Sequence, residues 1–404
     1  MIQKITPFLL LSIVVAVLIH LGTFVPYREH LLYDVSVYYQ RSLYFFDHAK
    51  LTDVTNEYLP MASLFFISFS PVFFFGNSLE LFERVFVLGN GALLLLLGFL
   101  IYKEKGSKAL FLFSGLVLAA GPIVLYRFEL LVILTMILAI LRFQKGDWLT
   151  SSIFLSLGTL VKLYPFLLLP YFLILTFHKN GIKQAFKYLA VFILTTLGGI
   201  LIYFFLTQTG IKELLFSLDF HKDKPLGLES SIGGITHLMQ YLQTGQAAPI
   251  VARHNTWGVD DAFLLLPMPI LTYLWTIPVT GIYLWLLFSK QQKASFIFVI
   301  TFLTSFFVFS KLFTPQYWLW VLFLMPFLEL KKSLLIWSMI ILAVLATAIT
   351  QFIYPLHYFD FLGYFYNQDK RFEYLFWIYL TEIFCMIAAA LISIILLLKR
   401  KTWS

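Results

Sequence analysis

The chain predicts an all-α integral membrane protein, and three observations predict it. Of its 404 residues, 60% are hydrophobic and 19% aromatic while 12% are charged, and the mean hydropathy is +0.86. So little polar surface could not coat a water-soluble fold of this length, so lipid has to be the solvent. Apolar runs able to cross about 30 Å of hydrocarbon recur along the whole sequence. Between them the basic residues fall in short clusters, the mark of cytoplasmic loops. The formal net charge of +8 therefore reports topology rather than affinity for nucleic acid. Membrane lipids are expected partners; nucleic acid is not.

The first apolar run, residues 5–25, follows Lys4 and is about 20 residues long, enough for one crossing. No small-residue cleavage site follows it, so it reads as an uncleaved anchor. Further runs fall near 59–75, 84–102, 109–126, 130–143, 148–161, 163–177, 188–207, 263–288, 294–310, 316–329, 334–354 and 373–398. The single cysteine, Cys385, excludes an internal disulfide and a cysteine-based zinc cluster, and its apolar setting predicts a buried thiol. His20, inside the first run, predicts a packed donor between helices. One transmembrane domain over 1–404 is expected.

Orientation follows from the basic clusters at 103–108, 142–145, 178–187, 289–293, 331–332 and 399–401. Placing these in the cytoplasm puts Asp34, Arg127, Glu129, Lys162, the stretch 208–262, Lys311 and 355–372 on the opposite face. Parity then demands an even number of crossings between Lys4 and Lys103, whereas three runs lie there. The weakest is 59–75, interrupted by Pro60 and Pro71, and it is expected to be interfacial or re-entrant. About twelve spanning helices result, with thirteen as the alternative.

Two outer stretches carry the polar chemistry. The first outer loop, 26–58, holds Asp34, Tyr38 and Glu57; Asp47 and Asp53 lie in its more polar part and read as solvated. The second, 208–262, is too long for a mere connection and carries His221, Lys224, Glu229, Arg253, His254 and the pair Asp260-Asp261. The paired acids read as a solvated turn rather than a metal site, and the loop histidines could exchange protons with a substrate or simply face solvent. Arg127, Glu129, Lys162 and Lys311 interrupt or flank apolar runs, where an ionised group costs about 2.5–3.5 kcal/mol at the bilayer centre. Interfacial snorkelling is the plainer explanation for each; their concentration on one face points instead to a site. Gln316 and Tyr317 follow Lys311 closely. Tyr38, Tyr39, Tyr317 and Trp318 are candidate sugar-stacking rings.

A carboxylate and several cations at one leaflet suit transfer of a sugar from a lipid-linked phosphate. The carboxylate takes the proton of an attacking hydroxyl, while the cations balance the departing phosphate.

The residues that carry this chemistry also carry a resemblance. Asp34-Val-Ser-Val-Tyr-Tyr, Asn56-Glu57-Tyr58-Leu59-Pro60, Arg127-Phe128-Glu129, Leu160-Val-Lys162-Leu-Tyr-Pro165, Lys224-Pro-Leu-Gly-Leu-Glu229-Ser230, Ser310-Lys311-Leu-Phe-Thr-Pro-Gln316-Tyr317-Trp318-Leu-Trp320 and Gln351-Phe-Ile-Tyr-Pro355 stand in collinear order. This series resembles glycosyltransferase family 87, the polyprenyl-phosphate-mannose-dependent mannosyltransferases of the C superfamily of membrane glycosyltransferases. The resemblance implies a polytopic C-superfamily fold whose outer loops carry short juxtamembrane helices. It also implies inverting transfer at the outer face, transfer of a hexose such as mannose, a polyprenyl-phosphate sugar donor, and a glycolipid or glycan acceptor. Asp34 takes the position of the general base. No metal or other cofactor is required, the lipid-linked sugar being a substrate, and a bacterial cytoplasmic membrane is the expected location.

The sequence departs from the family pattern in three places. Glu129 stands where the family shows aspartate and should keep an ion pair with Arg127 or a second acidic contact. Leu59-Pro60 replaces a double proline, and Arg253-His254-Asn255-Thr256-Trp257 fits poorly, which leaves the acceptor side open. A multi-helix transporter or flippase of lipid-linked sugars is the competing class; the absence of two repeated halves weighs against it.

Overall fold

A computed structural model describes residues 2–52, 57–220, 223–254, 256–289, 291–330 and 333–399. His221, Asp53, Asn255 and the basic residues 290, 331–332 and 400–401 lie outside them. The described chain is almost wholly helical and divides into two units. The first comprises Met1–Ser114, Pro122–Lys222 and Leu286–Ser295, the second Gly115–Gly121, Asp223–Trp285 and Phe296–Ser404.

The first unit begins with α1 (Ile2–Gly22) and α2 (Val25–His48), followed by α3 (Pro60–Ile67), α4 (Leu79–Lys105) and the first part of α5 (Ser107–Ala120). After it come α6 (Ile123–Tyr126), α7 (Glu129–Gln144), α8 (Trp148–Val161), α9 (Leu169–Asn180), α10 (Ile182–Thr207) and α11 (Ile211–Asp219). The stretch expected as a loop after the first anchor is therefore a 24-residue helix, α2. Its cause is a buried stripe at Leu31, Val35, Tyr38 and Ser42, the i, i+4, i+7, i+11 spacing of one helix face. The run 59–75 is split: α3 has eight residues, about 12 Å at 1.5 Å per residue, and a tight turn of helix over Ser70–Phe75 follows it. His20 is exposed, edge-on to Phe24 with ring centroids 5.2 Å apart, so its expected place between helices is not where the structure puts it.

Basic loops far apart in sequence meet at one end of this unit. Lys145 Nζ lies 2.5 Å from Glu104 Oε1, joining the clusters at 103–108 and 142–145. Gln144 donates to the Ala294 carbonyl at 2.9 Å, and His178 Nδ1 is 3.0 Å from the Gln291 carbonyl, adding the clusters at 178–187 and 289–293.

The second unit contains α12 (Ser231–Thr244), α13 (Met268–Tyr273), α14 (Thr276–Ser289, its last residues belonging to the first unit), α15 (Phe296–Phe309), α16 (Trp318–Leu322), α17 (Leu334–Gln351), α18 (Tyr358–Asn367) and α19 (Glu373–Lys399). It also holds three short antiparallel strands, β1 (Leu226–Gly227), β2 (Ile250–Arg253) and β3 (Thr256–Val259), in the order β1-β3-β2, with Leu226 and Ile250 both opposite Val259. Much of the expected long loop 208–262 is thus folded. Leu226, Ile232, Ala248, Val259 and Leu271 form its small core, against which Phe263, Leu264 and Met268 pack. Polar pairs link the long helices: Thr350 Oγ1 is 2.5 Å from Glu382 Oε1, and Thr301 donates to the Ser393 carbonyl at 3.0 Å. Between helices in lipid such links replace the hydrophobic drive that water would supply.

Among the described residues, five helical stretches are long and apolar enough to cross a membrane: Leu79–Lys105, Ile182–Thr207, Met268–Ser289, Leu334–Leu356 and Lys370–Lys399. Six shorter apolar stretches accompany them, Thr6–Gly22 and Pro60–Phe75 among these.

The packing of α12 on β1 gives a test. A Cβ on Gly233 would lie 2.5 Å from the Gly227 carbonyl oxygen and 3.0 Å from Ser230 Oγ, the group that caps the helix by accepting from the Gly233 amide. Gly233→Val should therefore destabilise the protein by about 1–3 kcal/mol, read as an earlier thermal transition of the detergent-solubilised chain.

Candidate functional site

The hairpin of α7 and α8 sets the geometry of the first unit. The chain enters α7 at Glu129, whose charge in the first turn suits the helix dipole. It reverses through the basic 142–147 stretch, where Asp147 caps α8 by accepting from the Thr150 amide at 3.3 Å. Gly158 lets the two helices close up, since a Cβ there would lie 2.7 Å from Thr135 Oγ1. Helix α8 ends at Val161 because the Leu163-Tyr164-Pro165 sequence resists further α-helix, and Lys162 takes an extended conformation (φ −145°, ψ 146°). The turn brings Lys162 back to the start of α7.

Four charges meet there as two ion pairs. Lys162 pairs with Glu129, and Arg127 pairs with Asp34 on α2. The side chain of Glu129 is 1% exposed and that of Asp34 24%, so Asp34 is the more open of the two acids. Lys162 Nζ also lies 4.7 Å from the centre of the Phe128 ring, a cation–π contact. The sequence left Glu129 an ion pair with Arg127 or a second acidic contact; the structure pairs Glu129 with Lys162 and Arg127 with Asp34.

Tyr38 stands one turn beyond Asp34 on the same face of α2. It is 1% exposed, stacked on Phe66 (4.2 Å, 10° between planes) and edge-on to Phe128 at 5.8 Å. A ring so covered cannot stack on a sugar, which corrects the sequence expectation; its hydroxyl instead hydrogen-bonds with Arg127. Burial, reinforced by the negative charge of Asp34, pushes that hydroxyl well above its ordinary range. Glu57 is half-buried and close enough to Arg41 to act on its charge.

The sequence reading missed two groups in this unit. Arg41, 1% exposed, lies 5.7 Å from the Tyr58 ring centre and hydrogen-bonds to the Tyr203 hydroxyl. Glu83 on α4 accepts from Arg28 at 3.1 Å and from the Tyr126 hydroxyl at 3.0 Å. A charge one turn into α4, immediately before the apolar run 84–102, could have signalled Glu83. Nothing in the sequence marks Arg41 beyond its place on the α2 stripe.

The second unit gathers a different part of the predicted set. Lys311 is 6% exposed and donates to the Lys224 carbonyl at 3.2 Å, while its own carbonyl accepts from the Gly227 amide at 2.8 Å. Burial lowers the Lys311 ammonium from its usual range, and Asp223 opposes the change. Glu229 is half-buried beside Leu228, whose carbonyl accepts from the Tyr379 hydroxyl at 2.5 Å. Gln316 and Tyr317 are half-buried, Tyr317 being stacked on Trp320 at 4.4 Å; Trp318 is 1% exposed, which removes it as a stacking platform. Arg253 pairs with Asp261 at 2.6 Å on the exposed β2–β3 hairpin, and His254 is exposed in a left-handed conformation (φ 49°). Asp260 accepts from the Ala262 amide at 3.0 Å, closing a turn. His237, expected on a loop, is buried in α12 against Phe365, and burial pushes it down to about 3. Among the described residues no three His, Cys, Asp or Glu side chains gather as metal ligands do.

With this geometry in place, comparison with known proteins gives one finding. The family model of glycosyltransferase family 87 matches residues 57–255, just under half of the chain. The match supports the family that the motifs resemble and indicates a membrane glycosyltransferase. It includes Glu57, Arg127, Glu129, Lys162, Lys224, Glu229, Arg253 and His254, while Asp34, Tyr38, Lys311, Gln316 and Tyr317 lie beyond its bounds. No curated protein matches the chain.

The buried half of the Lys162–Glu129 pair sets an expectation. Removing one member of a buried pair leaves an uncompensated charge and costs about 3–5 kcal/mol. Lys162→Met should lose much of this, and the double variant Lys162→Met/Glu129→Gln should recover part of it, as compared by thermal unfolding in one detergent.

Proposed function

We propose that this membrane glycosyltransferase moves a hexose, mannose by family resemblance, from a polyprenyl-phosphate donor to a hydroxyl of a glycolipid or glycan. The observation that carries the reading is the cluster of Asp34, Arg127, Glu129 and Lys162: two cations for a phosphate, and a partly open carboxylate for a proton. It lies at the end of the α7–α8 hairpin away from the gathered basic loops, and the positive-inside rule would put it at the outer face. The location is a bacterial cytoplasmic membrane crossed by about twelve helices.

In this reaction the acceptor oxygen attacks the anomeric carbon while its proton passes to the Asp34 carboxylate. The bond from the anomeric carbon to the phosphate oxygen breaks, and its electron pair leaves with the polyprenyl phosphate. The configuration inverts because attack and departure occur on opposite faces of the sugar. Arg127 and Lys162 balance the charge that grows on the phosphate, through charge-assisted hydrogen bonds that strengthen toward the transition state. Lys311, with Lys224 behind it, is assigned a separate contact with an anionic part of the substrates, and Glu57 a contact with sugar hydroxyls.

The test is transfer by the purified protein from polyprenyl-phosphate sugars to membrane lipid extracts, followed by release of polyprenyl phosphate. Asp34→Asn should lower the rate by about 10²–10⁴-fold, the usual contribution of a general base. A wild-type rate in the folded variant would remove Asp34 as base. Lys162→Ala and Lys311→Ala should each raise the donor KM, and an unchanged value in either would withdraw that residue from anion binding. Movement of intact lipid-linked sugar without bond cleavage would replace the transferase reading with transport.

A further inference from the structure

Arg127 and Lys162 already hold anions: the protein's own carboxylates, Asp34 and Glu129. A phosphate that binds these cations must compete with the resident partners, because an ionised side chain in so covered a place is held by its counter-charge. We propose that donor binding is an exchange of anions in which the phosphate takes Arg127 from Asp34, and that Glu129 is a positioning residue that holds Lys162 in place until the phosphate arrives. The proposal rests on the lipid-phosphate reading of the site and adds its order of events.

The exchange explains how one carboxylate can serve as both counter-ion and base. While Asp34 faces Arg127, its carboxylate is turned to the guanidinium rather than to an incoming hydroxyl. The donor is a phosphodiester with a single negative charge; the leaving polyprenyl phosphate is a monoester, whose charge at neutral pH is about −1.5 to −2. The phosphate's hold on Arg127, gained at donor binding, thus grows as the sugar–phosphate bond breaks, and Asp34 stays free to take the hydroxyl proton. After transfer Asp34 is neutral and no longer competes. Loss of its proton to water restores the carboxylate, which reclaims Arg127 and helps the product phosphate leave.

Exposure supports this division of labour. Asp34 can turn away from Arg127 because its side chain is 24% exposed, whereas Glu129, at 1%, has no water to turn to. Tyr38 hydrogen-bonds with Arg127 from a position fixed by Phe66, so the guanidinium stays in place when its carboxylate partner changes. The exchange therefore moves Asp34 and leaves the cation where it is.

A simple structural ion pair predicts that removing Asp34 harms the site; anion exchange predicts that it improves phosphate binding. Farnesyl phosphate, a three-isoprene monoester, is the probe, titrated calorimetrically into the full chain in detergent, with inorganic phosphate alongside to separate headgroup from chain recognition. Asp34→Asn should bind farnesyl phosphate about 10-fold more tightly than wild type, equivalent to about 1.4 kcal/mol, and Asp34→Glu should restore wild-type affinity. Arg127→Gln should weaken binding and abolish the gain when combined with Asp34→Asn. If Asp34→Asn fails to fold, Asp34→Ser removes the same charge and should also tighten binding. Unchanged or weaker binding in a folded variant with Asp34 neutralised overturns the exchange. Absence of farnesyl phosphate binding in every form overturns it together with the donor reading. Binding that is present yet indifferent to the charge at Asp34 sinks the exchange alone.

Discussion

An ionised side chain in a domain whose solvent is lipid has to bring its counter-charge with it. That constraint shapes the first unit more than any single motif does. Arg127 and Glu129 open α7, and Lys162 closes α8, so one tight hairpin delivers three of the four charges to one place. The fourth, Asp34, comes from α2, held by the stripe that packs Tyr38 on Phe66. Pairing keeps the cluster soluble in its apolar surroundings. It also leaves the cluster poised, because any competing anion meets two cations already oriented by protein carboxylates.

The second unit meets the same constraint with different means. Its β1-β3-β2 sheet is minimal, yet it ties the Lys224–Glu229 stretch to Lys311 through backbone bonds. Glu382 and Thr350 meet between α17 and α19, where two long apolar helices would otherwise have only dispersion to align them. Neither residue belongs to a motif that the sequence reading singled out.

What the sequence disclosed was the class, because it follows from hydropathy, while the expense of isolated charges drew attention to the charged residues that the fold pairs. The α2 helix was also legible in principle: Leu31, Val35, Tyr38 and Ser42 have helical spacing, but the polar composition of 26–58 suggested a loop. Pairing was not legible. The Glu129–Lys162 and Asp34–Arg127 pairs join residues 33 and 93 apart, contacts that only the fold creates and no local spacing announces. The covered rings of Tyr38 and Trp318 were hidden for the same reason, since aromatic character alone does not tell a packed ring from a platform for sugar.

The length of the hairpin bears on where the chemistry happens. Helix α7 has 16 residues and α8 has 14, about 24 and 21 Å at 1.5 Å per residue, against about 30 Å of hydrocarbon. With the basic turn anchored at one headgroup layer, the cluster at the other end stops several ångströms short of the opposite layer. On the proposed orientation, the bilayer would thin around this unit or its outer surface would dip inward. A lipid-borne phosphate would then move down from its headgroup plane to reach Arg127, leaving bulk water behind as it did so, while its acceptor would have to be long or amphipathic enough to follow it into the depression.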